Sequence, residues 1–414
     1  MPGDPPPKPT LVVAARSARL LAEAASRDGF ETIALDCFGD LDTLRAVRQW
    51  LPIGGEGTAQ TGRLDAARTL AALERVAREP GVVGWVAGSD FECDLALLEQ
   101  GAARLPLIGT APAAARRVRD PRQFFAALAA AGLAGPETRH SAPQDARGWL
   151  RKLANGSGGW HIRRADEEGS FGAAEAAPAA PEAAPANPAA PKAASGKPGA
   201  ALAAYFQREL AGVPMSALFL TNGSKARLVG CQELIVRPYG AHPFVYRGAI
   251  GPLAMGCGPM TALLGLLNSL SASFELRGLC SLDFILADER LWPLEINPRP
   301  SASMALYGEL PLMRAHVEAC LRGVLTRFAG TTEAGAHGVH GSETVFARRA
   351  FVLSAAQSQA LAARSDCHDL PAAGSRFGPG EPVCSVHASG QDAPTVRRLL
   401  AENRQALRQS LGAQ

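Results

Sequence analysis

Lysine is scarce in this chain: of 42 basic residues five are lysine, namely Lys8, Lys152, Lys192, Lys197 and Lys225. Lys8 lies in a Pro-rich start, and Lys192 and Lys197 in an Ala/Pro stretch, so Lys152 stands out as a rare ammonium inside sequence that reads as folded. The eight cysteines (37, 93, 231, 257, 280, 320, 367 and 384) are scattered, with no Cys-x-x-Cys pair. That speaks against a zinc site or a disulfide framework and for free thiols in a reducing cytosol. No apolar run approaches the roughly 18 residues that span a bilayer. The start, Met1 to Thr10, has neither the basic nor the apolar part of a leader. We therefore expect a cytoplasmic protein without a membrane partner. Aromatics make up 6%, do not interleave with a basic run, and accompany a formal net charge of only +3, which argues against nucleic acid.

What is present reads as globular: 414 residues, 47% hydrophobic and 20% charged, enough for two or three domains. After a disordered tail over 1–9, residues 10–117 alternate strands and helices. The strands are Thr10 to Ala15, Glu31 to Asp36, Val82 to Ala87 and Leu107 to Gly109. The helices are Ala18 to Asp28, Leu41 to Trp50 and Leu64 to Arg78. This alternation predicts a parallel sheet with ligands at its carboxyl ends, where the turns Ala15-Arg16-Ser17 and Gly88-Ser89-Asp90-Phe91-Glu92 fall. A second unit over 118–335 opens with a helix from Phe124 to Ala131 and a strand at Trp149 to Lys152. Residues 173–200 are almost all Ala, Pro and Glu, too apolar-poor to offset ordering entropy, and predict a disordered insertion. Strands then dominate: Tyr205 to Leu210, Met215 to Leu220, Lys225 to Gln232, Gly278 to Leu286 and Leu291 to Asn297. Asn222-Gly223 marks a hairpin turn, and helices are predicted at Met260 to Ser271 and near Pro311 to Phe328. A last unit, 343–414, has strands around Val345 to Leu353 and Pro382 to Ala388, then a helix from Ala393 to Leu411.

One constellation carries chemistry. Asp283 lies on a strand that returns as Leu294-Glu295-Ile296-Asn297-Pro298-Arg299-Pro300. Glu295 and Asn297, two apart, share a strand face. If the intervening turn centres on Glu289, Asp283 lies opposite Glu295; if it centres between Asp288 and Glu289, Asp283 faces Leu294. The first register gathers three hard oxygen ligands of the kind magnesium takes beside nucleotide phosphates. The plainer alternative is a hairpin with solvated acids.

This signature resembles the metal-binding end of the ATP-grasp superfamily. The resemblance, over about residues 10–330, implies an α/β (α+β ATP-grasp) fold: an N-terminal Rossmann-like pre-ATP-grasp domain, a two-subdomain ATP-grasp domain and a small β-rich C-terminal unit. It implies ATP and Mg²⁺ (with Mn²⁺ as a substitute) held by Asp283, Glu295 and Asn297, and Arg299 on the transferring phosphoryl group. It also asks for a lysine ahead of a glycine-rich loop, which Lys152 with Gly156, Ser157, Gly158 and Gly159 supplies, although the usual Lys-Pro is Lys152-Leu153. The stretch Tyr205 to Ser216 is similar to the hinge that meets adenine, with Gln207, Glu209 and Leu210 nearest. Arg237 and Arg247 are candidates for phosphate or substrate carboxylate, or else surface arginines. The segments Cys367 to Ser375 and Gly380 to Val386 resemble predicted ATP-grasp enzymes of one-carbon-utilising bacteria, related to the tyramine–glutamate ligase of methanofuran synthesis. Cys367, His368 and His387 lack metal-ligand spacing and read as structural.

The activity so implied is an ADP-forming ligase joining a small-molecule carboxylate to an amine through an acyl-phosphate, with a homodimer left open. The rival readings are an ATP-grasp carboxylase or kinase, and a non-catalytic ATP-binding scaffold. A dehydrogenase is disfavoured because Val13-Ala14-Ala15-Arg16-Ser17 lacks the glycines of a dinucleotide fingerprint.

Overall fold

A computed structural model describes residues 8–55, 62–167, 204–328 and 338–412. The insertion predicted over 173–200 lies outside the described residues.

Four parallel strands build the first layer: β1 (Thr10–Ala14), β2 (Glu31–Asp36), β3 (Gln49–Pro52) and β4 (Val82–Ala87), in the order β3-β2-β1-β4. Helices α1 (Arg19–Arg27), α2 (Leu41–Ala46), α3 (Ala66–Val76) and α4 (Leu95–Ala102) pack around them. Two predictions need correction. The helix expected over Leu41 to Trp50 stops at Ala46, and Gln49–Pro52 joins the sheet instead, its Trp50 indole donating to the buried Asp36 at 2.7 Å. The strand expected at Leu107 to Gly109 is a single bridge from Leu107 to Trp85.

Helices α5 (Pro112–Arg119) and α6 (Pro121–Ala130) lead into a small sheet ordered β5-β8-β6-β7, made of β5 (Thr138–Arg139), β6 (Trp149–Leu153), β7 (Ile162–Arg164) and β8 (Ala204–Arg208). From β8 the chain crosses at residues 209–212 into a second, larger sheet. Its first strands are β9 (Val213–Asn222), β10 (Ala226–Tyr239), β11 (His242–Gly251), β12 (Arg277–Ala287) and β13 (Arg290–Asn297), with α7 (Cys257–Phe274) between β11 and β12. Asn222 Oδ1 accepts from the N–H groups of Ser224 and Lys225 at 3.3 and 3.0 Å, and Gly223 takes φ +95°, which closes the predicted hairpin.

Beyond α8 (Leu312–Arg322) come β14 (Val339–Phe346), β15 (Phe351–Val352), α9 (Ala355–Ala362), β16 (Cys367–His368), β17 (Arg376–Phe377), β18 (Pro382–Gly390) and α10 (Ala393–Ser410). Strands β14, β18 and β16 extend the large sheet, which runs β13-β12-β9-β10-β11-β14-β18-β16 without a break, while β15 and β17 pair apart from it.

The centre of that sheet is covered on both faces. On β9, Ala217 and Phe219 pack under α7, whereas Leu218 and Leu220 join β1, α1 and α8 in a core shared with the first layer. Helix α8 has no side-chain cap of its own. Asp28, from the end of α1, accepts the N–H groups of Met313 and Arg314 at 2.8 and 3.0 Å. The first layer thereby satisfies orphan donors of a helix almost 300 residues away.

Candidate functional site

The β12–β13 hairpin turns on two residues, Asp288 and Glu289, both with positive φ (50° and 54°) and closed by the pair Ala287–Arg290. A regular ladder from that turn would set Asp283 against Leu294. A bulge intervenes: Phe284 pairs with Pro293, Leu294 is the extra residue, and Asp283 pairs with Glu295. Leu282, Phe284 and Ile296 point into the core under α7. Asp283, Glu295 and Asn297 therefore point the other way, toward the first layer.

These three groups come together. Asn297 Nδ2 donates to Asp283 Oδ2 at 3.1 Å. Burial and the neighbouring Glu295 carboxylate push Asp283 up to about 6. Burial works in the same direction on Glu295, but Arg119, Lys152 and His161 together hold it below its ordinary value.

Arg119, at the end of α5, is a member of the site that sequence reasoning missed. It donates to Glu295 Oε2 at 2.8 Å and to the carbonyls of Ala154 and Gly156 at 3.2 and 2.8 Å. One guanidinium thus ties the oxygen patch to the glycine-rich loop, with its side chain only 3% exposed. His161 closes the same corner. Its ring nitrogen Nδ1 lies 3.3 Å from Ser157 O, and burial lowers it to about 4, so it is neutral at pH 7.

Lys152 is buried on β6 and donates to Gln207 Oε1 at 3.0 Å across the small sheet. The Gln207 amide nitrogen is left buried without a partner. Glu209 uses its N–H on Gly148 O at 2.9 Å and its carboxylate on Arg164 at 3.1 Å, and Leu210 follows in the crossover to the large sheet.

The loop glycines have specific reasons. A Cβ at Gly156 would meet the His161 ring at 1.9 Å. At Gly159, with φ +78°, it would meet Phe244 O at 1.8 Å. Between them, Gly158 O accepts from Tyr246 N at 3.0 Å. The loop therefore lies directly on the backbone of β11.

Arg299 is held by the first layer: its Nε donates at 2.7 Å to Glu92 Oε1, on the turn that follows β4. Glu92 was visible only as part of the turn Gly88 to Glu92; its second oxygen is buried and unpartnered. Arg247 is not brought to the oxygen patch. It lies over the rings of Tyr239 and Phe346, 5.9 and 5.2 Å away.

A separate group, Glu23, Asp42 and His368, brings ligand atoms within 4.8 Å of one another. A cation already serves it, since Arg19 pairs with Glu23 at 3.0 Å and with Asp42 at 3.9 Å.

Among the described residues no helix is long and apolar enough to cross a membrane. Residues 118–303 match the ATP-grasp domain family. No curated protein is detectably similar in sequence. Solved structures share the fold at low identity. An L-amino acid ligase from Bacillus licheniformis superposes with TM-score 0.64 at 12% identity, over 96% of this chain and 97% of its own. The biotin carboxylase domain of a single-chain bacterial carboxylase gives 0.64 at 16%, over 96% and 88%. An N5-carboxyaminoimidazole synthase from Aspergillus clavatus, solved with ADP and 5-aminoimidazole ribonucleotide, gives 0.63 at 12%, over 98% and 99%.

Proposed function

We propose that this chain, whose fold is the ATP-grasp fold and whose residues 118–303 form an ATP-grasp domain, is an ATP-dependent ligase that joins a carboxylate to an amine and releases ADP. The observation that carries this reading is the oxygen patch of Asp283, Glu295 and Asn297, with Arg119 and Lys152 acting on Glu295 and Arg299 acting on Asp283.

The donor set fits magnesium: two carboxylates and an amide, all hard oxygen donors, with two acids held adjacent in a half-buried place. Asp283, Glu295 and Asn297 would hold the ion, which when bound neutralises charge on the polyphosphate. The nucleotide reading also has a fitting orphan, since the unpartnered Gln207 amide beside Lys152 offers a donor to a purine or ribose acceptor.

In the first step the substrate carboxylate attacks the γ-phosphorus of ATP, the bond to the β-γ bridging oxygen breaks, and ADP leaves. In the second, the amine nitrogen attacks the acyl carbon, inorganic phosphate leaves with the C–O bond pair, and the nitrogen loses a proton. No protein nucleophile is required. Lys152 and Arg299 oppose the charge on the transferring group, Glu92 aims Arg299, and Arg119 fixes both Glu295 and the loop carbonyls. The loop of Gly156 to Gly159, tied to Glu295 through Arg119, stands where it would keep water from the acyl-phosphate.

The finer reading is that the carboxylate is glutamate and the amine belongs to the synthesis of methanofuran or tetrahydromethanopterin; it rests on the resemblance of Cys367 to Ser375 and Gly380 to Val386. The test is hydroxylamine in place of the amine. A hydroxamate should accumulate with stoichiometric ADP. AMP and pyrophosphate would reject the acyl-phosphate route. The likeness to a biotin carboxylase domain favours one rival, with bicarbonate as the carboxylate; ADP release that needs bicarbonate and no amine would select it.

A further inference from the structure

Several arginines elsewhere in the fold are matched to acids, as Arg397 is to Glu233 at 2.9 Å and Arg164 to Glu209 at 3.1 Å. One group is not. Where β10, β11, β14 and α10 meet, five arginines surround a single carboxylate. Glu343 on β14 is 1% exposed and pairs with Arg404 of α10. Arg247 and Arg408 lie within the electrostatic reach of Glu343, of Arg404 and of each other, with Arg237 next to Arg247 and Arg348 next to Arg408. Five guanidinium groups and one carboxylate leave a formal charge of +4, from the residues just named.

The polar atoms of this junction are also unfinished. Glu343 Oε1, Arg247 Nε and Arg408 Nε are each buried with no hydrogen-bond partner. Among the described residues the Arg247 guanidinium donates to Pro238 O at 3.2 Å. Arg237 and Arg348 are exposed, while Arg247, Arg404 and Arg408 are half-buried behind them. Burial, with like charges adding to it, lowers the proton affinity of Arg247 and Arg408, the reverse of what a matched acid does for Arg299. Crowding like charges with buried unpaired donors costs stability.

An aromatic wall stands beside the charges. Arg247 lies over Tyr239 and Phe346. Both rings meet Trp160, at 5.7 and 6.1 Å between centroids, and Trp160 directly follows the glycine-rich loop. The charged junction is therefore next to the glycine-rich loop.

We infer that this junction binds a small polyanion, a molecule carrying two or more carboxylate or phosphate groups beside a flat or apolar part that rests on Trp160, Tyr239 and Phe346. On the ligase reading given above, it is the anionic arm of one of the joined substrates. Guanidinium forks suit both carboxylate and phosphate, and their spread over four elements suits several charges on one molecule. Three half-buried guanidiniums behind two exposed ones favour a compact ligand over a polymer.

Isothermal titration of the full chain, saturated with MgADP, tests this with propane-1,2,3-tricarboxylate, inorganic pyrophosphate and acetate. One of the two polyanions should bind and acetate should not; which polyanion binds decides between carboxylate and phosphate. Arg348→Gln and Arg408→Gln remove charges that have no acid of their own, so neither strands a buried carboxylate. Each should weaken the polyanion at least tenfold, leave the melting temperature equal to or above that of wild type, and leave MgADP affinity unchanged. Absence of polyanion binding, equal binding by wild type and both variants, or tighter binding of a single-stranded oligonucleotide than of either small anion would overturn the inference. A wild-type chain that fails to bind MgADP but still binds the polyanion would sink the ligase reading and leave this site standing.

Discussion

Glu295 serves two masters at the scale of single residues. It faces Asp283 and Asn297 as an oxygen of the proposed metal site, and it is the counter-charge of the buried Arg119. Replacing it with Ala confounds the two roles. Glu295→Gln keeps the shape and an acceptor for Arg119 while removing the charge a cation needs. We expect ADP formation to fall about a hundredfold or more, with the fold retained, as loss of transition-state charge stabilisation implies. Arg119→Leu should cost stability as well, on the order of 2 kcal/mol, because Glu295 and the carbonyls of Ala154 and Gly156 lose their donor. Near-normal ADP release by Glu295→Gln, measured with a coupled assay, would remove Glu295 from the metal site. The oxygen ligands were readable because they lie two apart on one strand and one hairpin away. Arg119 was not, since it meets Glu295 across 176 residues and no local pattern marks that pairing.

At the scale of elements, the hairpin of β12 and β13 shows what pattern alone leaves open. The turn sequence Asp288-Glu289 permits two registers, and the regular one would have pointed Asp283 at Leu294. The bulge at Leu294 resolves this, shifting the ladder by one residue so that both acids share a face. Helix and strand periods located most elements, but the stretch from Leu41 to Trp50 misled: its apolar residues suit a helix, and only pairing with β2 makes Gln49–Pro52 a strand. Helix α8 makes a testable case. Its first N–H groups depend on Asp28 rather than on a neighbour in sequence. Asp28→Ala should lower stability to urea by about 1–2 kcal/mol, and Asp28→Asn, which keeps an acceptor, by less. If the two variants unfold at the same urea concentration as wild type, the cap contributes nothing.

The whole molecule is joined through a few buried polar contacts, and these set how it responds to acid. Asp42 accepts the N–H groups of Asp369 and Leu370 at 2.7 and 3.0 Å, fastening the C-terminal strands to the first layer. His316 fastens the first layer to the large sheet. Its Nδ1 accepts from Leu279 N at 2.8 Å, and its Nε2 stands 2.9 Å from Ile108 O, which fixes a neutral ring with the proton on Nε2. Protonation would turn Nδ1 into a donor facing a donor. Burial accordingly lowers His316 from 6.5 to about 4. In the unfolded chain the ring takes up its proton near pH 6.5, so that state gains stability first as pH falls. The contribution of His316 is complete above pH 6.5 and is lost as pH drops toward 4, amounting to about 3 kcal/mol over that window. Urea midpoints of wild type and His316→Gln at pH 7 and pH 4.5 isolate it. The variant is expected to be the less stable at pH 7, because Gln cannot bridge both partners at the same spacing. Between pH 7 and pH 4.5 it should lose about 2–3 kcal/mol less than wild type, whatever its starting stability. His161 and His387, lowered to about 4 and about 3 by burial, titrate in both proteins and cancel from the comparison. Parallel losses in the two proteins would mean that His316 is not held neutral and that the junction of the first layer with the large sheet is indifferent to its charge.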